Sequence, residues 1–252
     1  MAGVFIKKGM SISIPPGGLS VTMNDDGSFT SSLKLHVHFD VCPTWLTIAL
    51  SHLDDAKARK EERLTAWSAD DDDMKSDALE REFMASMQAI TAAAVSIDAF
   101  YAVLKSKLEP EKNNQDRSEK RKTARYAQVG EVIRRSFNLK PKVVAKLTEN
   151  LKQIFEWRDK AVHPIGSAAE ATYHPELQVG VEWRFAVYRY NNAHAVVERT
   201  LQMLNELMKN GKPANNSVLD YSKGLLVETK WLMETLVNAH GTPHGDDIKQ
   251  VQ

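Results

Sequence analysis

Between residues 33 and 41 the chain alternates strictly. Leu33, Leu35, Val37, Phe39 and Val41 fall on one face, and Lys34, His36, His38 and Asp40 on the other. A period of two predicts a half-buried β-strand. Upstream, "SISIPPGGLSVTM" offers two shorter strands broken by Pro15-Pro16-Gly17-Gly18. "NDDG", Asn24 to Gly27, is a turn signal, so Leu19–Met23 and the strand after it are expected to form a hairpin. Residues 1–41 thus read as a small antiparallel β element of two or three strands.

From Pro43 the period becomes helical. Residues 43–67 start on a proline, which a first helical turn accepts. "ADDDDMKSDALE" then supplies acidic caps for a long helix. On it Phe83, Met87, Ile90, Ala94, Ile97, Tyr101, Leu104 and Leu108 recur at alternating spacings of four and three, the seam of a helical bundle. After the polar connector "EPEKNNQDRSEK", further helices are expected at about 119–137, 141–162, 184–209 and 216–239. The fold class predicted is mainly α: a helical bundle over 42–240, a β appendage over 1–41 and a frayed tail over 241–252.

Composition narrows this picture. A chain of 252 residues with 42% apolar content supports one large domain, or a domain with a small appendage. Lys+Arg and Asp+Glu are both 33, which excludes a globally basic nucleic-acid binder but not a local patch. Residues 70–82 carry seven acids against two bases, and residues 111–146 carry eleven bases against four acids. The basic block, with Arg121, Lys122, Arg125, Arg134 and Arg135, suits a phosphate-rich partner through counterion release, or else forms a solvated helical face. Cys42 is the only cysteine, so no internal disulfide forms and nothing points to secretion. The N-terminal residues lack a continuous apolar run, so no signal peptide is expected. The most apolar window, Phe83–Leu104, contains Asp98 and several hydroxyl and amide side chains, which fits a buried helix and not a membrane span. A cytoplasmic protein is expected.

The chemistry concentrates in "FEWRDKAVHPIG", Phe155 to Gly166. The helix from Pro141 has its seam at Val144, Leu147, Leu151 and Ile154, and the next steps land on Arg158 and Ala161. Arg158 is therefore predicted to point inward, where a guanidinium is costly unless paired. Asp98 is the only charge in Phe83–Leu104, and an Arg158–Asp98 pair across the bundle would explain both residues. On a regular helix His163 would diverge from Arg158 by roughly 140°. Pro164 disfavours helical angles at His163, so the helix is expected to stop there and free the imidazole to swing back. A cation for phosphoryl oxygens and an imidazole that moves protons near neutral pH make a phosphodiester-cleaving pair that needs no metal.

These residues give the chain a resemblance to a known superfamily. Arg158-Asp-Lys-Ala-Val-His163 resembles the Arg-polar-x-x-x-His motif of HEPN domains, with Asp159 in the polar position. The resemblance covers about residues 74–210 and leaves the N-terminal sheet outside. It implies an all-α bundle and a metal-independent endoribonuclease in a toxin–antitoxin or antiviral-defence setting. It implies that His163 is the acid–base group and that Arg158 stabilises charge on the scissile phosphate. The RNA 2′-OH would attack, leaving a 2′,3′-cyclic phosphate and a 5′-OH. It also implies a homodimer whose two motifs meet across a cleft, and regulation by an antitoxin or another protein. Asp98 resembles the acidic residue that many members carry on an earlier helix. Two places after His163, where some members carry a modifiable tyrosine, this chain has Ile165.

Other constellations rank lower. Arg189-Tyr-Asn-Asn-Ala-His194 repeats the spacing, but His194 shares a seam with Val187, Tyr190, Val197, Leu201 and Leu204 and reads as a core or cleft histidine. His36, His38 and Asp40 stand about 7 Å apart along one strand face, a spacing that can hold zinc; a solvent-facing strand without metal is the preferred reading. Tyr173, His174, Trp183 and Arg184 lie in the loop after Gly166, where they either line an RNA cleft or pack the loop onto the bundle. No phosphate-binding glycine loop, nucleophile elbow or Cys-x-x-Cys is present, and no cofactor is expected. The rival to the ribonuclease reading is a non-catalytic bundle that binds RNA, nucleotide or a protein partner.

Overall fold

The computed structural model describes residues 5–6, 9–108, 123–162 and 170–241. The chain divides into two compact units, residues 1–41 and 42–252. The second is a mainly α fold with seven helices among the described residues.

In the first unit, β1 (Met10–Ser13) pairs antiparallel with β4 (His36–Phe39), and β2 (Leu19–Met23) with β3 (Phe29–Leu33). The inner hairpin turns at "NDDG", where the Asn24 amide donates to the Ser28 carbonyl at 2.8 Å and Gly27 takes a φ of 80°. The single alternating strand expected over 33–41 is instead two strands. The Lys34 amide donates to the Gly18 carbonyl at 2.6 Å and closes the inner pair, and from His36 the chain pairs with β1. Of the apolar face over 33–41, Leu33, Val37 and Val41 are exposed while Leu35 and Phe39 are partly buried, and on the inner hairpin Leu19, Val21, Met23 and Phe29 are all 60–70% exposed.

The second unit is built around α2 (Asp72–Lys107), which touches each of the other six helices. Asp71 caps it, its carboxylate accepting the Met74 amide at 3.0 Å, with Asp72 and Asp73 in the first turn and Lys105 and Lys107 in the last. This charge order opposes the helix dipole. Among the described residues α2 alone is long and apolar enough to cross a membrane, but 61% of that apolar window is buried inside the fold. It is the core helix of the bundle. Ile90, Ala94, Ile97, Tyr101 and Leu104 are buried on the expected seam, and Phe83 and Met87 pack against it.

Helix α1 (Cys42–Trp67) lies along α2. α3 (Arg125–Ser136) and α4 (Pro141–Val162) pack on each other and on α2. The last helix, α7 (Asn216–His240), is capped by Asn215, whose side chain accepts the Val218 amide at 2.9 Å. The helix expected over 184–209 is broken into α5 (Trp183–Val187) and α6 (Tyr190–Asn210). At the break the Tyr188 hydroxyl donates to the Trp157 carbonyl at 2.7 Å, and the Glu82 carboxylate accepts the Tyr190 amide at 3.0 Å. A carboxylate on α2 thus caps α6.

Gly211, where α6 ends, is a tight spot. A Cβ there would press on the Leu207 carbonyl and come within 2.6 Å of the Phe137 ring. Gly211→Ala is expected to cost about 1–3 kcal/mol by overpacking, seen as a lower urea midpoint with an unchanged m-value.

Candidate functional site

Arg158 lies on the last turn but one of α4 and turns inward, with 19% of its side chain exposed. Its Nη1 donates to Asp98 Oδ2 at 2.7 Å, while Nε and Nη2 donate to Asp159 Oδ1 at 3.0 and 2.7 Å. The guanidinium also lies 4.6 Å from the Phe155 ring centroid. The pair expected from the two seams is therefore present, and Arg125 joins it. Arg125 Nε donates to Asp98 Oδ1 at 2.7 Å, its guanidinium 4.3 Å from the Tyr101 ring. Each oxygen of Asp98 thus accepts from a different arginine, which fixes α3 and α4 against α2. This leaves two half-open cations at the junction of three helices. Directed N–H groups at such a point suit phosphoryl oxygens.

The other sequence-predicted residues are dispersed. His163 follows α4 directly and lies outside the described residues, as do Arg121 and Lys122. Arg134 is committed to Glu131 through two hydrogen bonds of 2.8 and 2.7 Å, and Arg135 sits beside it in the last turn of α3. Trp183 is half-buried, its ring 6.3 Å from that of Tyr188. Arg184 lies over Trp183 and bonds Glu182 at 3.0 Å. These contacts pack the loop onto the bundle. Tyr173 is 62% exposed, whereas His174 is fully buried. His36 and His38 lie exposed on β4, and no group of three potential metal ligands occurs among the described residues.

The repeated spacing at Arg189 and His194 does not make a second pair of the Arg158 kind. Arg189 precedes α6 and donates to Glu176 at 3.0 Å. His194 is buried in α6, its ring 5.7 Å from Tyr190 and 5.5 Å from His240. His240 in turn bonds Asp54 through Nε2 at 2.9 Å and the Tyr190 hydroxyl through Nδ1 at 3.1 Å.

A second charged cluster was missed by the sequence reading. Arg63 on α1 is fully buried and donates from Nε to Glu82 and from Nη2 to Glu176 at 2.6 Å. Glu176 also receives Arg189 and Asn191. Burial opposes the Arg63 charge, but Glu82 and Glu176 outweigh it and raise its pKa above the ordinary value. The signal was available. Cys42, Leu46, Ala49, Leu53, Ala56, Lys60 and Arg63 are spaced by fours and threes, as are Leu79, Glu82, Ser86, Ala89, Ala93 and Ser96. Both seams carry a charge inward, as the α4 seam does at Arg158.

Burial also shapes the histidines. His174 Nδ1 accepts the amides of Glu176 and Leu177 at 3.3 and 3.2 Å, and burial, with Arg63 beside it, pushes its pKa down to about 4. Burial, with His240 and Lys57 nearby, takes His194 to about 4 as well. Folding thus lowers both below the ordinary 6.5, so between these values the unfolded chain binds more protons. Unfolding free energy is expected to fall by several kcal/mol in total as pH drops through that window. Urea titrations at stepped pH check this, and a flat profile down to pH about 4.5, near the ordinary Glu pKa, would contradict it.

Compared with protein-family models, curated proteins and solved structures, the chain matches none.

Proposed function

We propose that the protein is a metal-independent, HEPN-like endoribonuclease that leaves 2′,3′-cyclic phosphate and 5′-OH ends. The observation that carries this reading is Arg158, held at the α2–α4 junction by Asp98 and five residues before His163 in the sequence. In this reading Arg158 stabilises charge on the scissile phosphate, Asp98 and Asp159 orient its guanidinium, and Arg125 adds a second phosphate contact. His163 moves the proton of the RNA 2′-OH. The chain acts in the cytoplasm as a homodimer, in a toxin or defence setting under a protein regulator.

One observation favours the non-catalytic alternative. The two guanidiniums at Asp98 face two carboxylates, Asp98 and Asp159, so the cluster carries no net formal charge. That is how a purely structural clamp looks.

Purified protein incubated with pooled cellular RNA in EDTA separates the two readings. Cleavage with cyclic-phosphate ends by the wild type, lost in Arg158→Ala and His163→Ala, is the result expected. Equal activity or equal inertness in all three would overturn the catalytic reading.

A further inference from the structure

In the N-terminal unit the register of β2 and β3 sorts side chains by face. Directly opposed residues of an antiparallel pair share a face. Leu19–Leu33, Val21–Ser31 and Met23–Phe29 therefore lie on one face, and Ser20–Ser32 and Thr22–Thr30 on the other. One face is apolar except for Ser31; the other is all hydroxyl. Leu19, Val21, Met23, Phe29 and Leu33 are all exposed, and neither strand carries a charge or a proline. The outer pair is sorted the same way, with Met10–Phe39 and Ile12–Val37 on one face and Ser11–His38 and Ser13–His36 on the other.

A two-stranded hairpin is marginal in water unless its apolar face is covered. The five exposed side chains of β2 and β3 present on the order of 600 Å², the upper end for the largest apolar patch of a monomer. A symmetric pair hides about 1,200 Å² in total, the least that a stable specific interface needs. We infer that this face is where two copies of the chain associate, hairpin on hairpin, about a two-fold axis.

Ser31 is what selects a second copy as the occupant. It is the single polar side chain in the middle of the apolar face. With the axis along the Val21–Ser31 pair, the two hairpins run antiparallel and the Ser31 hydroxyls meet, each with a donor and an acceptor to offer. Met23 and Phe29 at the tip of one copy then cover Leu19 and Leu33 at the base of the other. Acyl chains would leave Ser31 without a partner. The turn also carries Asp25 and Asp26, and neither strand has a lysine or arginine, the reverse of an interfacial membrane segment. A charged peptide finds nothing on the face to pair with. The inference is independent of the ribonuclease reading, whose dimer forms through the bundle.

The test uses the full-length protein, with light scattering for assembly size and circular dichroism melts to establish that the bundle is folded. The wild type is expected to be an assembly of two or more chains. Val21→Asp sets two carboxylates against each other at the axis. It is expected to halve the assembly and weaken association about 100-fold or more, with the bundle still folded. Ser31→Cys is expected to form a disulfide between copies under mild oxidant, and Ser32→Cys, on the hydroxyl face, to form none. Cys42 is buried, and the wild type gives its background. A monomeric wild type, an unchanged assembly in Val21→Asp, or equal cross-linking at the two positions would overturn the inference. Arg158- and His163-dependent cleavage in any of those cases would leave the ribonuclease reading standing, and an assembly that behaves as expected but cuts no RNA would do the opposite.

Discussion

Arg63→Ala is expected to lower the free energy of unfolding by about 3–5 kcal/mol, the cost of leaving a buried charge without its partner. Arg63 is fully buried and Glu82 is 1% exposed, so water cannot replace the lost guanidinium. Total stability is about 5–15 kcal/mol for such folds, and the variant would therefore be marginal at ambient temperature. Glu82→Gln is expected to weaken the fold too, by two routes. It removes one of the two carboxylates that pair with Arg63, leaving Glu176, and it replaces the carboxylate that accepts the Tyr190 amide with a neutral acceptor. Because both changes break the same interaction, the double variant should cost less than the two singles together. Denaturant titration of the four proteins gives this coupling. Additive costs would show that the two residues do not act as a pair.

Under the proposed ribonuclease function, Arg158→Ala is expected to reduce RNA cleavage by about 10²–10³-fold, the effect of removing one directed donor from developing charge. His163→Ala should cost about 10²–10⁴-fold as a lost acid–base group. The stability effects should be far smaller. In Arg158→Ala, Asp98 keeps Arg125 as a partner and remains a quarter exposed, so its carboxylate is not stranded. Arg158→Lys separates charge from geometry. It preserves a cation but not the fork that reaches Asp98 and Asp159 together. A clamp that is only structural would show small stability changes across this series and no cleavage in any member.

Much of the bundle was legible because its seams are regular. The helix over 141–162 and the caps of α2 followed from local signals, Pro141 and the acidic run before Met74. The Arg158–Asp98 pair was legible for a related reason. Two lone charges on otherwise apolar faces have few ways to be satisfied except by each other. The Arg63–Glu82 pair obeyed the same logic but sat in strongly charged stretches, where single charges on a seam do not stand out.

What the sequence determined by itself is the periodic part: which faces are apolar, where helices start on a proline or a carboxylate, and that Arg158 points inward. Period alone decides these, since side-chain direction follows from residue number within an element. What only the tertiary structure decided is where partners from distant segments override that period. No proline or glycine marks the break between Val187 and Tyr190. There the Glu82 carboxylate takes the Tyr190 amide and the Asn192 side chain takes the Val187 carbonyl, backbone groups that a continuous helix would bond within itself. The addition of Arg125 to Asp98 has the same origin. It depends on how α3 packs against α2, and a carboxylate with two oxygens has room for a second guanidinium only when packing brings it there.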